Sequence, residues 1–240
     1  ADGGPAGRPS DGEPEIGAAR AEGLVRYILK RLAFEWDWVM LMTDDRQCRS
    51  VALWREGILD RLPPELCHCV VGAARESAGW AILMWDVGEF FATNRRFTPE
   101  EGRLFLDAMA GLHAEFFEDE GPTAPECGLS ELRHVYEMFA PRTALRKDAG
   151  SGDILKRILE GWETVRSVAP KDVIETVEPL LEDPTPLVRA LQNYPGTLIH
   201  GDFRHSNLAV LPPSATAPKR VALLDWQLAT FAPPGVELGR

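Results

Sequence analysis

The chain has 240 residues, of which 45% are hydrophobic and 26% are charged, and its formal net charge is -11 at pH 7. This composition is typical of a globular protein with enough apolar residues for a sizeable core. The acidic balance argues against nucleic acid as a partner, because lysine and arginine contacts supply most of the affinity for its backbone. It slightly favours a cationic small-molecule substrate.

Cysteine usage and hydropathy indicate the compartment. The four cysteines are too few for a disulfide framework, so reduced thiols in a cytoplasmic protein are the simpler interpretation. No apolar stretch approaches the roughly 20 residues that span a bilayer, and the first residues carry no signal-peptide pattern. We therefore expect a cytoplasmic protein without a membrane partner.

The first third of the chain predicts a flexible arm and then a small strand-rich unit. Residues 1–23 are rich in Gly, Pro, Ala and Glu and have almost no large apolar side chains, which is typical of a flexible arm. Residues 24–32 predict a strand, and residues 51–62 a helix that stops at two prolines. Strands over 70–73 and 80–85, joined by a turn at 76–79, complete a unit of residues 24–86.

The rest of the chain, residues 87–240, predicts a mostly helical unit. Thr98 and Glu101 form a capping box that opens an amphipathic helix. Further helices are expected over 153–166, 173–181 and 187–192, with prolines 179 and 184 as breaks. The expected fold class is α+β, in two lobes that meet near residues 84–87.

Three polar side chains follow or precede short strands near the C-terminal end of the sequence. A strand over 197–199 leads to Asp202, and a hairpin of 207–210 with 221–224 begins at Asn207 and ends before Asp225. Phosphoryl transfer needs a carboxylate beside the attacking hydroxyl, which suits Asp202 as the catalytic residue. It also needs ligands for Mg²⁺, and the amide of Asn207 and the carboxylate of Asp225 are suitable for this role. The spacing matches the catalytic and metal motifs of kinases.

Neighbouring residues of this motif allow two interpretations each. His200 is either a general base or a structural residue that fixes the loop by hydrogen bonds, and the second is favoured because Asp202 already fills the base role. Arg204 and His205 either contact an anion or substrate or lie on a solvated loop. Arg133, His134 and Tyr136 are candidates for an acceptor site between helices.

Two residues of the first unit are candidates for nucleotide binding. Lys30 lies on the first predicted strand and Glu56 on the helix that follows. In kinase-like enzymes a strand lysine paired with a helix glutamate holds the α- and β-phosphates of ATP. The order of lysine, helical glutamate, hinge, catalytic loop and metal aspartate supports the same pairing here.

The motifs resemble those of the aminoglycoside phosphotransferase and choline kinase family, which has the protein-kinase-like fold. Gly201 stands where protein kinases have Arg, and Asp225-Trp226 stands where they have Asp-Phe-Gly. The resemblance implies a small-molecule kinase that uses ATP and Mg²⁺ and phosphorylates a hydroxyl group. It also implies that the backbone of a hinge meets adenine, and the hinge residues here are Met84, Trp85 and Asp86.

The sequence departs from the family pattern at three places. No glycine-rich phosphate loop precedes Lys30, the chain ends 15 residues after Asp225, and Glu237-Leu238 replaces the usual Asp-Leu. A helical unit that is incomplete at its C-terminal end is therefore expected.

Three functions remain open. The favoured one is a phosphotransferase, and the second is a truncated nucleotide-binding protein with impaired catalysis. The third, a metal-dependent hydrolase built on His200 and Asp202, lacks the further ligands of a two-metal site. Relatives with this motif set act on aminoglycosides, choline-like amines, amino-acid alcohols, sugars and macrolides, so the acceptor also remains open.

Overall fold

The computed structural model describes residues 26–91, 96–146, 152–213 and 218–239. The arm expected over residues 1–23 lies outside these ranges. The strands follow one another in this order: β1 (Tyr27–Leu32), β2 (Leu66–Cys67), β3 (Val70–Arg75), β4 (Trp80–Trp85), β5 (Thr197–Ile199), β6 (Leu208–Leu211), β7 (Arg220–Leu223) and β8 (Thr230–Ala232).

The helices lie mostly between β4 and β5. In chain order they are α1 (Trp38–Met42), α2 (Arg49–Arg55), α3 (Pro99–Glu115), α4 (Leu132–Glu137), α5 (Pro141–Arg146), α6 (Gly152–Val168), α7 (Lys171–Glu182), α8 (Thr185–Leu191) and α9 (Gly235–Leu238). The mixture of helices with small sheets agrees with the α+β class. Among the described helices, none is both long enough and apolar enough to cross a membrane.

The first sheet is antiparallel, with strand order β1-β4-β3. The predicted turn at 76–79 joins β3 to β4, and the backbone N–H of Glu76 donates to the carbonyl of Gly79 at 2.8 Å. A side chain at Gly79 would lie 2.1 Å from the carbonyl oxygen of Leu32, so only glycine fits this approach to β1. In the β1–β4 register Lys30 lies opposite Ile82, inside the strand.

Two smaller sheets carry the motif strands. The predicted hairpin is confirmed as β6 and β7, which pair antiparallel, and β5 pairs antiparallel with β8. Strand β2 pairs parallel with β7, with Leu66 opposite Val221. A strand from the expected first unit therefore belongs to the same sheet as the hairpin that precedes Asp225.

The helix expected over residues 51–62 is shorter than predicted. Helix α2 begins at Arg49 and ends at Arg55, with Glu56 as the C-terminal cap. Gly57 follows with φ of 72°, a left-handed conformation that ends an α-helix, and a single 3₁₀ turn covers Leu59–Arg61. The apolar spacing across this break arises from two separate elements.

Helix α3 agrees with its sequence pattern. The Thr98 side chain accepts the Glu101 N–H at 3.2 Å, and the Glu101 carboxylate accepts the Thr98 N–H at 3.0 Å. The buried face of α3 joins one apolar cluster that also contains side chains of β1, α2, β4, β5, β6 and β7. This core is continuous between the first sheet and the motif strands.

Helices α7 and α8 lie close to their predicted positions. Pro184 separates them as the N-terminal cap of α8, as expected for a break. Pro179, in contrast, lies inside α7 and does not end it. The ring removes one backbone donor near the C-terminal end of α7, where the helix continues for only three more residues.

Candidate active site

The turn after β5 is built around Gly201. Its φ of 78° is in the left-handed region, and a side chain there would lie 2.3 Å from the carbonyl oxygen of Leu228. Glycine relieves both the conformational strain and the clash. The chain can therefore reverse directly after the buried strand and leave Asp202 partly exposed.

The buried carboxylate of Glu237, on α9, holds this turn. Its Oε2 accepts the backbone N–H of His200 at 2.6 Å, and its Oε1 accepts that of Gly201 at 2.9 Å. Burial raises the pKa of Glu237, but the nearby His113 ring and the backbone N–H of His200 outweigh burial and bring the pKa below 4.5. The turn is thus fixed by an ionised side chain.

His200 is completely buried and holds the two motif segments together. Its Nε2 lies 2.8 Å from the carbonyl oxygen of Leu224, which can only accept, so Nε2 carries the proton. Its Nδ1 then accepts the backbone N–H of Asp202 at 3.3 Å. Burial lowers the pKa of the ring, despite the acidic neighbours, and keeps it neutral. With both nitrogens engaged, the geometry fits the structural interpretation of His200.

Asp202 and Asn207 contact each other directly. The Asn207 Nδ2 donates to Asp202 Oδ2 at 2.8 Å and to the Asp202 carbonyl at 3.0 Å. Both amide hydrogens are used in this way, so the amide oxygen remains as a free acceptor. Arg204 Nε lies 2.9 Å from Asp202 Oδ1. Both carboxylate oxygens of Asp202 therefore have partners, and the exposed Arg204 is the more easily displaced of the two.

Asp225 lies two positions after the end of β7 and pairs with Lys30. Its φ of 63° turns the backbone sharply before the 3₁₀ turn Trp226–Leu228. Lys30 Nζ lies 2.9 Å from Asp225 Oδ1, with about one third of each side chain exposed. The Leu224 N–H donates to the carbonyl oxygen of Asn207 at 3.0 Å, which fixes Asp225 relative to the catalytic turn.

Four of the predicted residues line one cavity of about 210 Å³. They are Lys30, Met84, Asn207 and Asp225. Apolar side chains from β3, β4 and β7 form much of the remaining wall, together with His68, Cys69 and Phe91. Asp202 reaches this group through its hydrogen bond with Asn207 rather than as part of the wall.

The other predicted residues lie elsewhere. Glu56 is exposed beyond the end of α2 and does not meet Lys30, whose ammonium group contacts Asp225 instead, so the expected pair is wrong. Trp85 stacks on Tyr27 at 4.8 Å between ring centroids and is not part of the cavity wall. The Asp86 carboxylate accepts the Gly88 N–H at 2.9 Å, and His205 is exposed.

The hinge backbone is already engaged. The Trp85 N–H donates to the Cys69 carbonyl at 2.9 Å, and the Asp86 N–H donates to the Arg26 carbonyl at 3.0 Å. These two donors are therefore used within the protein. An adenine ring at this position would need other backbone groups.

A second, more open cavity of about 820 Å³ lies beside α4 and α8. Arg133 and His134 line it, whereas Tyr136 packs with the apolar cluster around Ile199. Asp202 does not line this cavity. The smaller cavity is not lined by Asp202 either, so the acceptor site suggested by Arg133, His134 and Tyr136 stays a prediction.

Three residues that contact the site were not predicted from the sequence. Gln227 contacts Lys30, Asp37 contacts Gln227, and the buried Arg49 donates to the Gln227 carbonyl. Gln227 lies two positions after Asp225, and the sequence pattern assigned it no role. Asp37 and Arg49 lie in segments without a recognisable pattern, so only the folded chain reveals their contacts.

The donor set fits Mg²⁺. Within the described ranges, no three His, Cys, Asp or Glu side chains are grouped as a complete metal cage. Magnesium does not need one, because it is usually held by one or two carboxylates, substrate phosphates and water. Asp225 and the free amide oxygen of Asn207, on the wall of one cavity, supply hard oxygens of this kind.

Similarity to a known protein family covers most of the chain. The phosphotransferase enzyme family (APH) matches residues 68–240, which is more than half of the chain. The chain is also 31% identical over 104 residues to Acyl-CoA dehydrogenase family member 10 of Mus musculus. That match covers 43% of this chain and 9% of the relative's length. No solved structure matches the chain. The chain belongs to the phosphotransferase enzyme family.

Proposed function

We propose that the chain transfers the γ-phosphate of ATP to a hydroxyl group of a small molecule, with Mg²⁺ bound to the nucleotide. The observation that carries the proposal is the meeting of Lys30, Asn207 and Asp225 around one cavity, with Asp202 hydrogen-bonded to Asn207. Lys30 supplies a cation for the phosphates, and Asn207 and Asp225 supply oxygen donors for the metal. Asp202 supplies a carboxylate for the acceptor hydroxyl.

Asp202 orients the acceptor and takes its proton. The Asn207 amide holds one oxygen of the carboxylate, which leaves the oxygen now paired with Arg204 for the hydroxyl. Displacement of the exposed Arg204 side chain costs little, because a surface ion pair contributes about 0–1 kcal/mol. His200, with both ring nitrogens bonded to backbone, does not take the proton.

Asn207 and Asp225 hold the metal, and Lys30 holds phosphate oxygens. Mg²⁺ neutralises charge on the transferred group. In the structure the Lys30 ammonium contacts Asp225, so the carboxylate already accepts a cation at this position. When Asp225 turns to the metal, Lys30 is free to contact the nucleotide.

The acceptor is proposed to be a hydroxylated small molecule that is neutral or cationic. The net charge of -11 favours approach of a cation over that of an anion. The two-lobe arrangement, with the nucleotide between the first sheet and the motif hairpin, is part of the same proposal. The cavity of about 210 Å³ holds part of the nucleotide, and the remainder extends into solvent.

Isothermal titration calorimetry of the whole chain with ATP tests the proposal. Binding is expected with Mg²⁺ and is expected to weaken at least about tenfold with EDTA or in Asp225→Asn, since the metal site loses a charged ligand. Asp107→Asn, an exposed residue of α3, is the matched control and should bind like the unaltered chain.

A second measurement separates transfer from binding. ADP release is followed with hydroxylated amines, amino-acid alcohols and sugars as acceptors, and one class should raise the rate. A folded chain without magnesium-dependent affinity for ATP would refute the proposal. Binding without any rise in ADP release would favour the alternative, a nucleotide-binding protein that does not transfer phosphate.

A further inference from the structure

Lys30 has a second partner in addition to Asp225. Its Nζ lies 3.3 Å from Oε1 of Gln227, whose residue is 5% exposed. The sequence pattern predicted a helix glutamate, Glu56, in the supporting role. In the folded chain a neutral amide that follows the metal motif occupies that role.

Gln227 is itself held from two sides. Its Nε2 donates to Oδ1 of Asp37 at 2.9 Å, and its backbone carbonyl accepts Nη1 of the buried Arg49. Asp37 is fixed in turn, because the same Oδ1 caps α1 by accepting the Met40 N–H at 2.9 Å. The amide therefore has one orientation, with its oxygen toward Lys30.

An amide is suited to this position because it has both a donor and an acceptor. Gln227 accepts from a cation through Oε1 and donates to an anion through Nε2. A carboxylate at 227 would face the Asp37 carboxylate across a hydrogen-bond distance, where like charges repel. An apolar side chain would satisfy neither neighbour.

We propose that Gln227 is a positioning residue for Lys30, through an amide bridge from the Lys30 ammonium to the Asp37 carboxylate. The inference rests on the proposed function, in which Lys30 contacts nucleotide phosphates while Asp225 turns to the metal. Lys30 then loses its partner at 2.9 Å, and Gln227 keeps the ammonium group directed into the cavity.

Thermal unfolding of the nucleotide-free chain tests the bridge itself. Asp37→Asn removes a charge from the site but keeps an oxygen acceptor for both N–H groups. It should leave the melting temperature of the unaltered chain the same or lower it. In a Gln227→Glu background two carboxylates face each other, and Asp37→Asn replaces one of them with an amide. The same change should then raise the melting temperature by about 2 °C or more.

Nucleotide binding tests the effect on Lys30. Gln227→Met keeps the size of the side chain but removes both hydrogen bonds. Affinity for Mg·ATP and Mg·ADP should fall about fivefold to tenfold, because a charge-assisted contact is no longer aligned. Affinity for adenosine, which has no phosphate, should not change. Gln192→Met, on the exposed end of α8, is the matched control and should leave all three affinities unchanged.

The outcomes separate the inference from the proposed function. If the unaltered chain binds Mg·ATP and Gln227→Met binds it equally well, the positioning role is wrong and the proposed function stands. An equal loss for adenosine and ATP would also overturn the role, because it indicates general damage to the cavity. If Asp37→Asn has the same effect in both backgrounds, no bridge couples the two residues. If the unaltered chain binds no nucleotide, both proposals fail together.

Discussion

Glu237 accepts the backbone N–H of His200 at 2.6 Å, although 37 positions separate the two residues in the chain. Its second oxygen accepts the N–H of Gly201, so one carboxylate occupies the two donors that begin the catalytic turn. The short helix α9 thereby fixes the backbone that presents Asp202. A residue noted in the sequence only as a departure from Asp-Leu is a main support of the site.

Glu237→Gln should lower the free energy of unfolding by about 1–3 kcal/mol. The amide supplies one oxygen acceptor and one N–H₂ group, which cannot accept from the second backbone donor. That donor then remains buried without a partner. Urea denaturation measures the loss, and Glu178→Gln, an exposed surface ion-pair residue of α7, is the control. Equal stability of the two variants would contradict the role of Glu237.

The unaltered chain and Glu237→Gln should also differ in how their stability changes with acid. The folded pKa of Glu237 lies below the ordinary value of 4.5, so its ionised form stabilises the fold above about pH 4.5. That contribution disappears as the pH falls through the folded pKa. The stability difference between the unaltered chain and Glu237→Gln should therefore shrink below pH 4.5. A difference that stays constant to lower pH would show that the charge is not involved.

Gly201→Ala should destabilise the chain more than a typical surface change. The left-handed φ costs a non-glycine residue about 1–3 kcal/mol, and the added carbon meets the Leu228 carbonyl at 2.3 Å. The melting temperature should fall by several degrees. Gly102→Ala, on α3, where an added side chain has open space, should instead be neutral or stabilising. Similar melting temperatures for the two variants would refute this account of the turn.

Substitutions of Asp202 and Asp225 should affect different steps of the proposed reaction. Asp202→Asn should reduce phosphate transfer about 100-fold to 10,000-fold, since the proton acceptor is lost, while Mg·ATP still binds. Asp225→Asn should weaken binding of Mg·ATP itself. Calorimetry and acceptor-dependent ADP release together make the comparison. Equal losses of binding in both variants would contradict the division of roles.

Arg49→Met should cost about 3–5 kcal/mol of stability, because it breaks a buried ion pair and leaves Asp45 without its cation. It also removes the donor to the Gln227 carbonyl. Arg46→Met, whose pair with Asp44 is largely exposed, should change the stability by about 1 kcal/mol or less. Chemical denaturation compares the two variants, and similar losses would show that the Arg49 contacts add nothing beyond a surface pair.

Local patterns predicted the elements of the fold well where neighbouring residues decide the outcome. The capping box of α3, the turn at 76–79 and the β6–β7 hairpin all depend on contacts within a few positions, and each lies where expected. The helix over 51–62 failed because apolar spacing continued across Gly57, where the backbone turns left-handed. Periodicity alone does not detect such a break.

The sequence by itself determined the family motifs, and with them the residue types that the proposed chemistry needs: Asp202, Asn207 and Asp225 at strand ends. Only the tertiary structure decided which side chains support them. Lys30 meets Asp225 and Gln227 rather than Glu56, and Glu237 holds the turn at His200. These contacts join residues 37 to 197 positions apart in the chain. Partners at such separations depend on how sheets and helices pack, which no local pattern encodes.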